Sequence, residues 1–189
     1  MVAGKHITRV QKIGGIMAAT LLALVPNAAS AQVAISEIMY EGSATHDWIE
    51  VQNNGANPVD IIGFKFFEAN TNHGLKLDRG PSVLPVGGYA VIAAATSTFL
   101  TDFPAFSGTL FDSSFDLNTT GEPLKICNGS CASDGSNTEY SLQTYTPFSA
   151  ADKGKGNSLQ LSSGAWIVAL STPGAANSTN AVPSVAGDS

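Results

Sequence analysis

The chain reads as an all-β protein, a two-layer antiparallel sandwich with at most one short helix. Three observations point there. Apolar residues recur at every second position in short runs, and turn-forming Gly, Asn and Pro separate those runs. Only 13% of the residues are charged, a balance typical of turn-rich β proteins rather than of helical bundles.

Residues 33–40 (VAISEIMY) form the first strand and end at Glu41-Gly42-Ser43. Ile35 and Ile38 both call for burial, which a strict two-residue period cannot satisfy, so one bulge is expected between them. Residues 47–53 (DWIEVQN) alternate, Ile49 and Val51 on one side and Trp48, Glu50 and Gln52 on the other. Asn53-Asn54-Gly55 then turns the chain. Residues 59–62 and 64–68 make an extended stretch with a bulge or bend at Gly63. Residues 84–88 (LPVGG) turn into a compact apolar strand over 89–94.

A short helix fits only residues 96–106, capped by Thr96 or Ser97, with Phe99, Leu100 and Phe103 as its apolar face and Pro104 as its stop. Thr119-Thr120-Gly121-Glu122 turns the chain into residues 123–128 (PLKICN), and residues 157–161 (NSLQL) and 165–170 (AWIVAL) are the last two strands. The alternation nominates Ile49, Val51, Leu124, Ile126, Leu159 and Leu161 as core. Residues 32–177 form one domain, long enough for its own core, and residues 178–189 form a polar tail expected to be disordered.

Residues 1–31 read as a secretory signal peptide. Lys5, Arg9 and Lys12 make a basic start, an apolar run over 13–25 follows, and Ala29-Ser30-Ala31 offers small side chains for cleavage before Gln32. The apolar run is shorter than the ~20 residues a bilayer core needs, so no membrane span is expected after cleavage and the chain is expected outside the cell or in a periplasm. The rest of the chain holds six basic against fifteen acidic residues, a balance that argues against DNA or RNA as partner.

Cys127 and Cys131 are the only cysteines. In an exported chain their spacing favours a disulfide, since a zinc site would need further ligands and only His46 and His73 lie beyond the leader.

The segments Ile35-Ser36-Glu37-Ile38-Met39-Tyr40, Asp47-Trp48-Ile49-Glu50-Val51-Gln52-Asn53, Val59-Asp60-Ile61 with Gly63-Phe64, and residues 84–92 (LPVGGYAVI) follow one another in a set order. Gly121-Glu122-Pro123-Leu124, Gly156-Asn157-Ser158-Leu159, Trp166 and a closing Thr172-Pro173-Gly174-Ala175-Ala176-Asn177 complete the series. The series resembles the lamin tail domain family, over about residues 33–177. That resemblance implies an immunoglobulin-like sandwich. The chain carries no coiled-coil rod, basic import run or prenylation box, so it is similar to the exported bacterial branch rather than to nuclear lamins. The branch implies an adhesion or tethering role, with protein or polysaccharide of the envelope or matrix as partner. Its rivals are an accessory domain of a separately encoded extracellular hydrolase and a structural envelope or matrix component.

Catalytic residues are not nominated. Gly-x-Ser-x-Gly is absent, two histidines leave little choice of base, and no carboxylate pair stands out from sequence. Glu37, Asp47 and Glu50 are the most interesting acids because the first two strands place them near one another, an arrangement that invites a hard cation such as calcium. The blander reading, preferred because no D-x-D-x-D-G loop is present, has Glu37 and Glu50 facing solvent or bonding backbone amides near a sheet edge. Trp48 or Trp166, if exposed beside Tyr89 or Tyr140, would offer a stacking face for a sugar ring; burial is the alternative. Asn118, Asn128 and Asn177 fit Asn-x-Ser/Thr in turns or tail and matter only in a eukaryotic secretory pathway.

Overall fold

The computed structural model describes residue 1 and residues 32–40, 43–142, 144–149 and 156–182. The expected leader, apart from Met1, and the last seven residues of the expected tail lie outside the described residues. Thirteen strands and one α-helix are described: β1 (Val33–Met39), β2 (Trp48–Asn53), β3 (Val59–Asp60), β4 (Lys65–Glu68), β5 (Thr71–Gly74), β6 (Lys76–Arg79), β7 (Val83–Leu84), β8 (Tyr89–Ala93), α1 (Thr96–Asp102), β9 (Thr109–Asp112), β10 (Leu124–Cys127), β11 (Thr138–Leu142), β12 (Asn157–Ser162) and β13 (Ala165–Leu170). A seven-stranded sheet runs β13-β12-β1-β2-β8-β9-β6, a four-stranded sheet runs β11-β10-β4-β5, and β3 and β7 form a separate ribbon. This is the expected immunoglobulin-like sandwich.

One pair departs from the antiparallel rule: β8 and β9 run parallel. Parallel neighbours need a crossover, and α1 supplies it. Its N-cap is Ala95 without a side-chain cap, not Thr96 or Ser97. Burial holds the helix instead, because Phe99 and Phe103 pack edge-on against Trp48 at centroid distances of 5.8 and 5.7 Å. The helix stops at Asp102, two residues before Pro104.

The expected bulge in β1 is present as a register shift between Ile35 and Glu37, and it lets Ile35 and Ile38 both reach the interior. Ile49, Val51, Leu124, Ile126 and Leu159 are all buried. Leu161 is a correction: it is only half-buried, because β12 is about to leave the sheet through the Ser163-Gly164 turn, where both residues have positive φ. Ile62 and Gly63 form a turn closed by Phe64 N–H on the Ile61 carbonyl (3.0 Å), where the break in the strand was expected.

The first residues of the expected tail, 178–182, are described and make hydrogen bonds. Ser178 N–H donates to Gln160 Oε1 (2.6 Å) and Val182 N–H to the Val168 carbonyl (2.8 Å), so ordered chain runs past Asn177 and lies against the outer edge of β13.

Every residue of β1 is buried, as is nearly all of β2. Side chains alternate along a strand, so burial on both parities means that both faces of the seven-stranded sheet are covered. Ile49 and Val51 point to the four-stranded sheet. Trp48 and Glu50, of the other parity, point to a layer made of α1 and the chain after β13. That third layer shapes the candidate site.

Candidate functional site

Thr172-Pro173-Gly174-Ala175 makes a tight turn in which Ala175 N–H bonds the Thr172 carbonyl (3.0 Å). Proline at the second position and Gly174 at φ +80° are what a type II turn requires. The turn sits over a row of polar side chains on the sheet: Gln160 on β12, Glu37 on β1 and Glu50 on β2, which lie in register. Glu37 Oε1 accepts Thr172 N–H (2.9 Å), the Gln160 amide (3.2 Å) and the Ser158 hydroxyl, while Oε2 accepts the Thr172 hydroxyl (3.2 Å). Glu50 Oε2 accepts Gly174 N–H (2.6 Å) and its Oε1 accepts the Ser36 hydroxyl (2.9 Å). Asn177 closes the arrangement, its amide donating to the carbonyls of Ser36 (2.7 Å) and Leu161 (2.9 Å).

Glu37 and Glu50 are fully buried, at 0% exposure, on central strands. The reading that they face solvent near a sheet edge is therefore corrected; the reading that they bond backbone amides holds. Burial pushes both carboxyls up, and the charge of Glu37 helps to push Glu50 up to about 8. Asp47, the third nominated acid, is buried elsewhere and accepts Leu117 N–H (2.8 Å). Among the described residues no group of three His, Cys, Asp or Glu side chains is placed to hold a metal ion. On Glu37 and Glu50, hydrogen-bond donors occupy the oxygens that a hard cation would take. Asn177, read as a glycosylation motif, is a structural tie.

Beside the turn, two adjoining cavities run along the outer face of the sheet. One, of about 380 Å³, is lined by Met39, His46, Trp48, Asp102, Phe103 and Gly156. The other, of about 360 Å³, shares Asp102 and Phe103 and continues over Pro104, Ala105, Phe106 and Pro173. Each is at the small end of the range for ligand pockets, with room for one side chain or one sugar ring. The walls are aromatic rings and prolines, and the rim carries His46 Nδ1 against Asp102 Oδ2 at 2.7 Å. Trp48 itself is buried and so is not an open stacking platform; Trp166 is half-buried. Sequence reasoning missed this groove because its two walls, α1 with its following loop and the turn at 172–175, lie some seventy residues apart.

Gly174 is the hinge of the arrangement. A side chain there would meet the Phe106 ring at 3.0 Å and would have to adopt a left-handed backbone. Gly174→Ala is expected to lower stability by about 1–3 kcal/mol, read as a shift in the urea midpoint; an unchanged midpoint would show that the turn is loosely held.

Two further features stand apart. Glu68 on β4 and His73 on β5 meet diagonally across the strand pair, Oε1 to Nε2 at 2.8 Å, both largely buried. Burial and the charge of Glu122 push the Glu68 carboxyl up, opposed by His73. Cys127 and Cys131 form the expected disulfide, and Cys131 N–H donates to Asn72 Oδ1 (2.7 Å), holding the bridged loop against β5. Closing so short a loop stabilises by about 2 kcal/mol on the chain-entropy estimate. Replacing both cysteines by alanine should lower the thermal midpoint by several degrees without loss of the β circular-dichroism signal; collapse of that signal would mean the bridge organises more than its own loop.

A family model described as Lamin Tail Domain matches residues 26–183. No curated protein and no solved structure matches the chain.

Proposed function

The chain belongs to the lamin tail domain family, whose members are non-enzymatic immunoglobulin-like binding or structural domains, and from that premise we propose that it is a secreted, non-catalytic module that binds protein or polysaccharide at the cell envelope or outside the cell. The groove between α1 and the Thr172–Ala175 turn carries this reading. It is apolar along its walls and polar at its rim, the pattern by which a site excludes water from a ring or side chain while orienting it. The buried carboxylates next to it are roofed by backbone and do not open into it as an acid–base pair would. A basic leader followed by Ala29-Ser30-Ala31 supports export.

The test is retention of labelled residues 32–189 on envelope and extracellular-matrix fractions of the producing cell, with and without chelator. Retention is expected. Ala105→Arg, which fills the groove from an exposed position without touching the core, should weaken it about tenfold, equivalent to ~1.4 kcal/mol. Equal retention of the variant would move the site elsewhere. No retention on any fraction would remove the adhesion reading, and release by chelator would bring a cation back into it.

A further inference from the structure

Residues 172–174 reach the sheet through two carboxylates, whereas Asn177 and Ser178 are tied independently of them, to the Ser36 and Leu161 carbonyls and to Gln160. Glu37 and Glu50 are cross-strand neighbours on adjacent strands, a position that brings side chains to about 5 Å of each other. Both are fully buried, and both accept backbone N–H groups from the same four-residue turn. Two like charges that close in a dry layer cannot both ionise without large cost, which favours keeping a proton on one of them. The groups that face the pair are few. β12 brings Ser158 and Gln160, the turn brings no titratable side chain, and β8 brings the Tyr89 phenol, itself pushed up by burial and by Glu50. Among the described residues no Lys, Arg or His faces the pair to offset a second charge.

We propose that residues 172–175 are a strap whose seating is governed by the charge of the Glu37–Glu50 pair: it stays closed while the pair keeps a proton and lifts when both carboxylates are ionised. Proton loss is the only chemical event. The second negative charge draws water into the layer, and solvation of that charge competes with the bonds from Thr172 and Gly174. With Glu50 pushed up to about 8, the change falls on the alkaline side of neutrality. Pro173 is a wall of the groove and Gly174 rests on Phe106, so lifting the strap opens one side of the groove. This last consequence rests on the groove being the binding site; release of the strap does not.

Hydrogen exchange read by mass spectrometry on peptides covering 171–178, corrected for the intrinsic pH dependence of exchange, tests the proposal between pH 6 and pH 9.5. Protection of the Thr172 and Gly174 amides is expected to fall by tenfold or more across that range, while peptides from β2 and β8 hold theirs. Glu50→Gln and Glu37→Gln each leave at most one charge in the layer, and either should keep the strap protected throughout, so one folded variant is sufficient. Constant protection in the wild type would overturn the proposal, as would an equal fall in both glutamine variants. Retention on the binding fractions, measured separately over the same range, shows whether the groove follows the strap.

Discussion

Trp48→Ala should lower the unfolding free energy by about 3–5 kcal/mol, the range for emptying a buried aromatic site. Trp48 is 1% exposed on β2, and Phe99 and Phe103 meet its indole edge-on. Its loss leaves a cavity and also removes the surface on which α1 rests. The helix has no side-chain cap of its own and, at seven residues, is too short to be stable alone, so it should lose order with the indole. The readout is the urea midpoint followed by circular dichroism. Leu170→Ala is the matched control: Leu170 is 63% exposed and should change stability by no more than about 0.5 kcal/mol. A Trp48→Ala loss below about 1 kcal/mol would mean that the third layer contributes little to the fold.

The second large effect is on pH. A carboxyl whose pKa is raised on folding favours the folded state fully below its unfolded value and loses that contribution as the pH climbs through its folded value. For Glu50 the window runs from 4.5 to about 8. At about 1.4 kcal/mol per pKa unit this spans on the order of 5 kcal/mol. Glu37 and Glu68 are raised as well and act in the same direction. Denaturant unfolding from pH 4.5 to 9 should therefore show stability falling with pH, with the slope concentrated below pH 8. Glu50→Gln should flatten much of that slope and exceed the wild type at pH 8. A wild-type profile that rises over this interval would refute the assignment of buried, proton-holding carboxyls.

These acids also mark how far the sequence could be read. Alternation along 47–53 separates Ile49 and Val51 from Trp48, Glu50 and Gln52, and that separation is correct. What alternation cannot say is what covers the second face. The cover comes from α1 and from residues 172–178, over a hundred residues further on, so Glu37 and Glu50 read as outward-facing when they are interior. The unread strands share a different cause. β5 (TNHG) and β6 (KLDR) are edge strands with no apolar alternation, and the edge strand β11 (TEYSL) offers only the single pair Tyr140 and Leu142; they are strands because a neighbour supplies the ladder, not because a side-chain pattern demands one. β9 (TLFD) is a short buried strand paired in parallel, and four residues are too few for a period to show. The Thr-Pro-Gly turn was legible as a motif, whereas its contacts were not.

The order of the seven-stranded sheet carries a consequence for how the chain assembles. β1, the earliest strand, lies between β2, its neighbour in sequence, and β12, which begins only at Asn157. The strap that roofs β1 and β2 comes later still. A partial chain ending before Asn157 therefore holds β1, buried at every residue in the finished fold, with one flank bare, and its central sheet cannot close. Loop closure over such separations is slow, in the range of milliseconds to seconds for domains dominated by distant pairings. The molecule is thus expected to remain uncommitted until its last third has been made, with β1 exposed to aggregation or to a chaperone's grip in the interval.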